Sequence, residues 1–427
     1  MPRFPFYILL FASLFAGILP AQEENTPDDT VDEEQQQLEW SGNLDLKYTL
    51  FHMDQRSAQY QMQFWKLPPS SSFLSQYRLE PYVNADYHNG DVGFVLKTHG
   101  TYYSDANGRF DLFESYGSYA PSINITLQAG KRVYSWGKGY AFNPTGYINP
   151  VKDPENPELA QAGILSANVE YIKSINSEAL QNIALMIAVV PSTEILNGRY
   201  GDIERTNVAV KSYFLLWDTD VDLMTYLNGN GPDKYGFDFS RNLKENIELH
   251  GEVSVSHNVA RYSIEHDSLY VQVRDDVSYV LGARYLTASN VTLIAEYYHN
   301  ELGMKGSEYQ QYSEYLAKSV VTNNTAIVHS ALNTTMRYFR GNTLMQDYFY
   351  AKIIYPEPFD LLYFTPSLYT IYNISDNSYL LSLQLNYKPV TNIEFILWPT
   401  ILAGNSKSEY GGKQVQEKIE AWMRVFF

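Results

Sequence analysis

Three ionisable residues, Glu248, His250 and Glu252, occur at alternate positions of one segment. Carboxylate and imidazole side chains are common metal ligands and proton-transfer groups. Successive side chains on one face of a strand are about 7 Å apart, whereas metal ligands converge to about 2 Å from one ion. One straight strand makes that convergence difficult, so we expect neither a metal site nor another cofactor here.

Charged residues recur on the polar face of several further alternating segments. We expect them to face an aqueous lumen, where they either pair with one another as ordinary wet residues or form a ladder that selects solutes, as charged rings do in pores. The candidate lumen residues are Arg78, Lys97, Arg132, Lys211, Glu248, Glu252 and Arg284.

Signals for catalysis are weak. The chain has eight histidines and no Gly-x-Ser-x-Gly nucleophile motif, and no serine is placed beside a histidine by the sequence pattern. We therefore predict that the protein is not an enzyme and name no catalytic residues.

The elements that position these residues are strands with one apolar and one polar face. In 378–388 the apolar face begins and ends with tyrosine, as expected where a strand crosses both interfaces of a membrane; its members are Tyr379, Leu381, Leu383, Leu385 and Tyr387. The final segment alternates in the same way up to Phe427, although Trp422 and Phe426 interrupt its polar face.

We count about 18 such strands, at 38–51, 72–88, 91–103, 110–120, 122–134, 164–174, 178–190, 206–217, 219–227, 232–241, 245–257, 276–287, 290–299, 345–355, 360–373, 377–388, 391–402 and 415–427. Tight connections such as 356–359 alternate with long ones such as 258–275 and 300–344. This alternation favours an all-β, single transmembrane, antiparallel up-and-down β-barrel over a soluble sandwich. Since open sheet edges are costly in lipid, the first strand should pair with the last.

Two connections and one strand predict what lies inside the barrel. The loop 132–150 is rich in aromatic residues, and we expect it to fold inward as a constriction formed by Trp136, Tyr140, Asn143 and Tyr147. The segment 183–190 is apolar on both faces, so its inner face should meet either a folded-in loop or an apolar ligand.

The connection 300–344 predicts two helices, which would form either a lid or plug or a surface-packed loop. Ser307 is the predicted cap of the first helix, with Tyr309, Tyr312, Leu316 and Val320 as its apolar stripe. Asn324 should cap the second, with Ile327, Ala331 and Met336 as its apolar side.

The amino-terminal region predicts export. Residues 1–21 have Arg3 followed by an apolar run, which indicates a signal peptide, and 22–37 should be a disordered, acidic periplasmic segment. The barrel would then occupy 38–427. The net charge of −17 argues against nucleic acid as a partner, and the absence of cysteine excludes disulfides.

Two motifs resemble those of known membrane proteins. A last strand that ends in Phe427 resembles the closing strand of bacterial outer-membrane barrels, which the barrel-assembly machinery reads. The segment with Gly130-Lys131-Arg132, Trp136-Gly137 and Asn143-Pro144 resembles a loop of large Gram-negative outer-membrane barrels of unassigned function, often suspected of handling lipids. The resemblance implies the outer membrane as location, with its lipid and the assembly machinery as partners.

The sequence thus predicts a porin-like channel that passes small solutes through a polar lumen narrowed by the inward loop. The alternatives are a transporter of apolar or lipid-like compounds, and a surface adhesin or structural barrel. The identity of the solute or apolar ligand and the oligomeric state stay open.

Overall fold

The computed structural model describes residues 37–105, 107–191, 206–229, 231–339, 341 and 343–427. The predicted signal peptide 1–21, nearly all of the acidic segment 22–37 and most of the predicted connection 191–205 lie outside the described residues.

The described residues form eighteen antiparallel strands in one closed sheet, as predicted. Each strand pairs with the next in the chain, and the first pairs with the last, with Asn43 opposite Phe426. The strands are β1 Gln37–Met53, β2 Phe73–Asn89, β3 Val92–Tyr103, β4 Gly108–Ser122, β5 Ile125–Arg132, β6 Ile164–Ser174, β7 Leu180–Val190, β8 Asn207–Leu216, β9 Thr219–Leu227, β10 Lys234–Lys244, β11 Ile247–Glu265, β12 Ser268–Leu286, β13 Thr292–His299, β14 Asp347–Ile354, β15 Phe364–Asn373, β16 Ser378–Val390, β17 Ile393–Ala403 and β18 Val415–Phe426.

Side chains alternate between the two faces of this sheet as the sequence predicts. In β16 Tyr379, Leu381 and Leu383 are exposed on the outer face, while Ser378 and Ser382 are buried inside. Two apparent exceptions to the pattern have inner partners. Leu380 is buried in the largest apolar cluster, and the Trp422 ring lies 4.0 Å from the Lys47 ammonium, a favourable cation–π contact.

The two rims differ in the length of their connections, and we call them the short-turn rim and the long-loop rim. On the short-turn rim, which joins β2 to β3 and every second pair thereafter, most connections have two residues. The described long-loop connections include 133–163, 300–346 and 404–414.

The predicted long loop 258–275 is wrong. Residues 247–286 form one long hairpin, β11–β12, that turns at His266 and Asp267. Both turn residues have positive φ, 50° and 59°, as a two-residue hairpin turn of type I′ requires. Asn258, also at positive φ, lies at a β-bulge. Because the pair His-Asp is a weaker hairpin signal than Asn-Gly, the turn was not recognisable in the sequence.

The predicted strand 360–373 begins too early, because β15 starts at Phe364. The connection before it is therefore longer than the predicted 356–359, and it contains a short 3-10 turn at Pro358–Asp360.

Three helices pack on the long-loop rim: α1 Ala58–Gln63, α2 Gly306–Val321 and α3 Thr325–Tyr338. Together with 404–414 we call them the cap. Among the described residues, no helix combines the length and apolar character needed to span a bilayer. The helices bury a common apolar core that includes Met62, Tyr309, Tyr312, Leu316, Val328 and Ala331.

Two details of these helices differ from the prediction. The N-cap residue of α2 is Lys305 and not Ser307, and the Glu308 carboxylate accepts a hydrogen bond from the Lys305 N–H. In α3 Ile327 and Met336 are exposed, whereas Val328 is buried beside Ala331. The N-cap residue of α3 is Asn324 as predicted, and its side chain accepts a hydrogen bond from the Ala326 N–H at 2.9 Å.

Candidate functional site

The connection between β5 and β6, residues 133–163, folds against the inner barrel wall, and we call it the inward loop. Its rings Tyr134, Trp136 and Tyr147 are almost fully buried, together with Ile148. They form one apolar cluster with Ala188 and Val190 of β7, Ala209 of β8, and Met224 and Tyr226 of β9. The loop is therefore the apolar partner of the strand that is apolar on both faces.

Glu252 of β11 binds the main chain of the inward loop. Its carboxylate accepts hydrogen bonds from the N–H groups of Lys138 at 2.7 Å, Gly139 at 2.5 Å and Thr145 at 3.1 Å. The Thr145 hydroxyl donates a fourth at 2.7 Å. Hydrogen bonds to an ionised acceptor are stronger than those between neutral groups. This buried carboxylate therefore fixes the loop at two places, residues 138–139 and Thr145.

Glu296 of β13 holds the neighbouring stretch of the loop. Its carboxylate accepts from the N–H groups of Tyr140, Ala141 at 2.8 Å and Phe142 at 3.4 Å. The His250 ring nitrogen Nε2 lies 2.9 Å from the same carboxylate. Glu252 and Glu296 thus accept hydrogen bonds from six main-chain N–H groups within residues 138–145 of the inward loop.

Two lysines contact one member of a pair of buried aspartates beside this attachment. Asp222 of β9 and Asp238 of β10 are opposite each other in register and fully buried. The ammonium groups of Lys138 in the loop and Lys211 of β8 lie 3.1 Å and 3.0 Å from the Asp222 carboxylate. Burial lowers the pKa of Lys138, but these aspartates outweigh it and raise that pKa above its ordinary value, so the lysine is charged.

Asparagine side chains brace the loop internally. The Trp136 carbonyl accepts from the amides of Asn143 and Asn149, and the Trp136 N–H donates to Asn149 Oδ1 at 2.9 Å. The Tyr147 hydroxyl donates to Ser254 of β11 at 3.0 Å. Gly137 has φ +88°, and an added Cβ would overlap the Asn143 side chain, so only glycine fits this turn.

Residues 140–158 of the inward loop reach β14 and β15, on the opposite side of the described barrel. The Tyr140 hydroxyl donates to Glu158 at 2.6 Å and accepts from Lys352 of β14 at 2.5 Å. The Tyr369 hydroxyl of β15 donates to the Glu155 carbonyl at 2.6 Å. Because its attachments run from β7 to β15, the loop crosses the interior and does not merely line one wall.

The remaining predicted lumen residues are distributed around the wall. Arg78 lies between Glu80 at 3.4 Å and Glu420 at 3.3 Å, and Lys97 pairs with Glu114 at 2.7 Å.

Arg132 donates to Asn168 at 3.2 Å and lies over the Tyr134 ring. Arg284 stands opposite Glu248 in register, and Glu248 accepts from Ser240 at 3.2 Å. The loop residues, Lys211 and Glu252 are thus brought together. Arg132 touches this cluster at the Tyr134 ring, whereas Arg78, Lys97, Glu248 and Arg284 contact other residues of the wall.

A cavity of about 620 Å³ lies beside the loop on the side of the long-loop rim. Its lining combines rings, amides and two ammonium groups; it includes Phe142, Asn143, Tyr147, Lys152, Lys234 and Tyr298. Burial lowers the pKa of Lys152, whose ammonium group donates to the carbonyls of Gly139 and Tyr140.

Sequence reasoning missed the importance of Glu296, Asp222 and Lys138. Glu296 had one signal, its inward position by the alternation of β13. Nothing in the sequence showed that its partners are main-chain N–H groups 154 to 156 residues away along the chain. In the part of the chain that the structure describes, no group of three or more acidic or histidine side chains is arranged to hold a metal ion.

No family model and no curated protein matches this sequence. Among solved structures it is similar to three from Pseudomonas aeruginosa. OccK2 (OpdF) in complex with glucuronate has a TM-score of 0.55 at 8% identity, over 91% of this chain and 98% of that chain. OccK8 (OprE) has 0.54 at 7%, over 91% and 98%, and the outer membrane protein OprD has 0.51 at 11%, over 91% and 94%.

At these identities the likeness concerns the fold. This chain has the closed 18-stranded barrel of bacterial outer-membrane porins, which confirms the predicted fold class and the predicted outer-membrane type of barrel. A soluble sandwich is excluded.

Proposed function

We propose that this chain is an outer-membrane channel for small polar solutes, and that the inward loop narrows its path. The observation that carries the proposal is the attachment of six loop N–H groups to the Glu252 and Glu296 carboxylates. A loop held in this way is a fixed restriction, because its position depends on charged hydrogen bonds inside the barrel.

The chemistry beside the loop supports polar solutes. Lysine ammonium groups and asparagine amides line the cavity next to the loop, with tyrosine rings between them. The charged side chains Arg78, Lys97 and Arg132 add polar groups elsewhere on the wall. Such groups replace part of a solute's hydration during passage. The solved neighbour OccK2 was crystallised with glucuronate, an example of a small polar solute in the same fold.

The apolar-transporter alternative loses one of its two supports. It drew on the inner apolar face of β7, and the loop residues Trp136 and Ile148 cover that face. The fold neighbours are porins and not enzymes, which supports a channel without catalysis.

Conductance of the refolded chain in planar bilayers tests the proposal. We expect discrete channels whose conductance rises several-fold when 137–149 is deleted. The substitution Glu252→Gln should give noisier channels, since removing the charge weakens bonds worth about 1.5–3 kcal/mol each.

Glu248→Gln is the matched control, because Glu248 lies on the same strand and has no hydrogen bond to the loop among its described contacts. If the deletion variant folds into a heat-modifiable barrel and still conducts nothing, the channel proposal fails. If it conducts no more than the parent chain, the loop is not the restriction.

A further inference from the structure

The connection between β14 and β15 differs from the others on the short-turn rim. β14 ends at Ile354 and β15 begins at Phe364, so nine residues join them, whereas the other connections of this rim have two or five. Five of the nine are leucine or aromatic, and we call 355–363 the apolar turn. Phe359 is 95% exposed, Leu362 60% and Tyr363 63%.

The backbone of the apolar turn is held in an unfavourable conformation that displays these side chains. Glu357, Phe359, Asp360 and Tyr363 have φ between 51° and 60°, which is rare for bulky residues and strains the backbone at each position. The Tyr363 N–H donates to the Glu357 carboxylate at 2.9 Å, and the Lys388 N–H donates to the Tyr363 carbonyl at 3.1 Å. The exposed rings therefore belong to a defined turn.

The apolar turn continues the lipid-facing surface of the barrel. Ile353 of β14, Leu368 of β15 and Tyr387 of β16 are exposed on the outer face. The ring of Phe364, at the end of the turn, meets the Tyr387 ring edge-on at 6.4 Å. Other turns and strand ends of the same rim also expose apolar side chains, namely Ile123, Trp217, Leu243 and Val390.

We infer that the apolar turn inserts into the interfacial layer of the membrane leaflet on the short-turn side, with phospholipid as its occupant. Aromatic and leucine side chains are favoured in that layer. The exposed parts of Phe359, Leu361, Leu362 and Tyr363 amount to roughly 500 Å², taking about 200 Å² for each full side chain. A stable protein partner buries about 800 Å² per side, so the patch suits lipid better than protein.

Site-specific fluorescence tests this inference, and the chain is suited to it because it contains no cysteine. Phe359→Cys, labelled with the dye NBD, is refolded as the mature chain into vesicles of phosphatidylethanolamine and phosphatidylglycerol. We expect blue-shifted emission and strong quenching by lipids that carry a spin label near the headgroup. Asp91→Cys, in a polar two-residue connection of the same rim, should show aqueous emission and quenching by iodide instead.

Leu362→Cys gives an independent reading if Phe359→Cys does not refold. Aqueous emission without lipid quenching at the labelled positions would overturn the inference. Protection of the dye that appears only after a periplasmic extract is added would also overturn it, in favour of a protein partner.

Discussion

Gly137 lies where the inward loop turns toward Glu252, at φ +88°. In Gly137→Ala the added methyl group meets the Asn143 side chain and the Glu252 carboxylate, and the backbone must adopt a conformation unfavourable to L residues. We expect the loop attachment to lose more than about 1 kcal/mol. Limited proteolysis within 133–163 should become faster, while heat-modifiable migration shows that the barrel persists.

Gly117→Ala is the control for this variant. An added Cβ at Gly117 would have only the Gly93 carbonyl nearby, at 3.9 Å. Equal proteolysis of the two variants would show that Gly137 has no special role in the loop.

Glu409 is a fully buried carboxyl in the cap whose protonation should affect local stability. It accepts from the Tyr348 hydroxyl at 2.8 Å, the Asn373 amide at 2.8 Å and the Leu344 N–H at 3.1 Å. Burial raises its pKa to about 7 from the ordinary 4.5; the charge of Lys413 opposes this shift, and the charge of Asp376 adds to it. The folded cap therefore holds this proton more tightly than the unfolded chain does.

The stabilisation linked to this proton is complete below about pH 4.5 and is lost as the pH rises through about 7, by on the order of 3 kcal/mol. Hydrogen exchange of 404–414 should accordingly be slower near pH 5 than near pH 8, after correction for intrinsic exchange. Glu409→Gln should remove this difference. A variant that keeps the full pH dependence would assign it to other groups.

Arg261 attaches the cap to the barrel hairpin. Its guanidinium donates to both oxygens of Glu308, at 3.0 and 2.5 Å, and to the Leu302 and Gly303 carbonyls. Because Arg261→Gln leaves the partly buried Glu308 carboxylate and the buried Gly303 carbonyl without this donor, we expect a loss of roughly 2–5 kcal/mol in cap attachment. Protease cleavage within 302–345 should increase while the barrel stays heat-modifiable.

Lys318→Gln provides the comparison, since the Lys318–Asp267 pair is exposed and should contribute less than about 1 kcal/mol. Similar cleavage rates for both variants would contradict the role of Arg261.

At this scale the sequence predicts helices better than it predicts their faces. Periodicity and helix-capping chemistry predict two helices within 300–344 and Asn324 as the N-cap residue of the second. The buried side of α3 did not follow, because Ile327 and Val328 are equally apolar and only the position of α2 selects between them. The extended hairpin β11–β12 was missed for two reasons: its His-Asp turn is a weak signal, and polar residues such as Arg261 make tertiary contacts with the cap that have no local signal.

The whole barrel depends on the seam between β1 and β18, which can be tested by crosslinking. Leu44 and Val425 are opposite each other in register. In a chain without native cysteine, Leu44→Cys with Val425→Cys should form a disulfide on oxidation and change the migration of the denatured chain on a gel. Leu44→Cys with Ala421→Cys, four residues out of register, should remain reduced. The reverse result would refute the closed register.

The architecture was largely predictable because period-two alternation is repeated in most strands and is independent of distant contacts. The strand number and the closure follow from this pattern and from the cost of unpaired edges in lipid. The site was less predictable. Aromatic content showed that the loop 132–150 needs burial, but which strands receive it depends on the barrel's curvature, and Glu296 and Asp222 acquire their roles only there.

Glu252 and Glu296 accept hydrogen bonds from main-chain N–H groups of the inward loop. These bonds therefore depend little on which side chains the bonded loop residues carry. Cavity-lining residues outside this attachment, such as Val151 and Thr343, can therefore be exchanged by mutation with less effect on the position of the loop than a change in either glutamate. Related proteins that keep these two glutamates could differ in the solute they prefer while the inward loop stays in the same position.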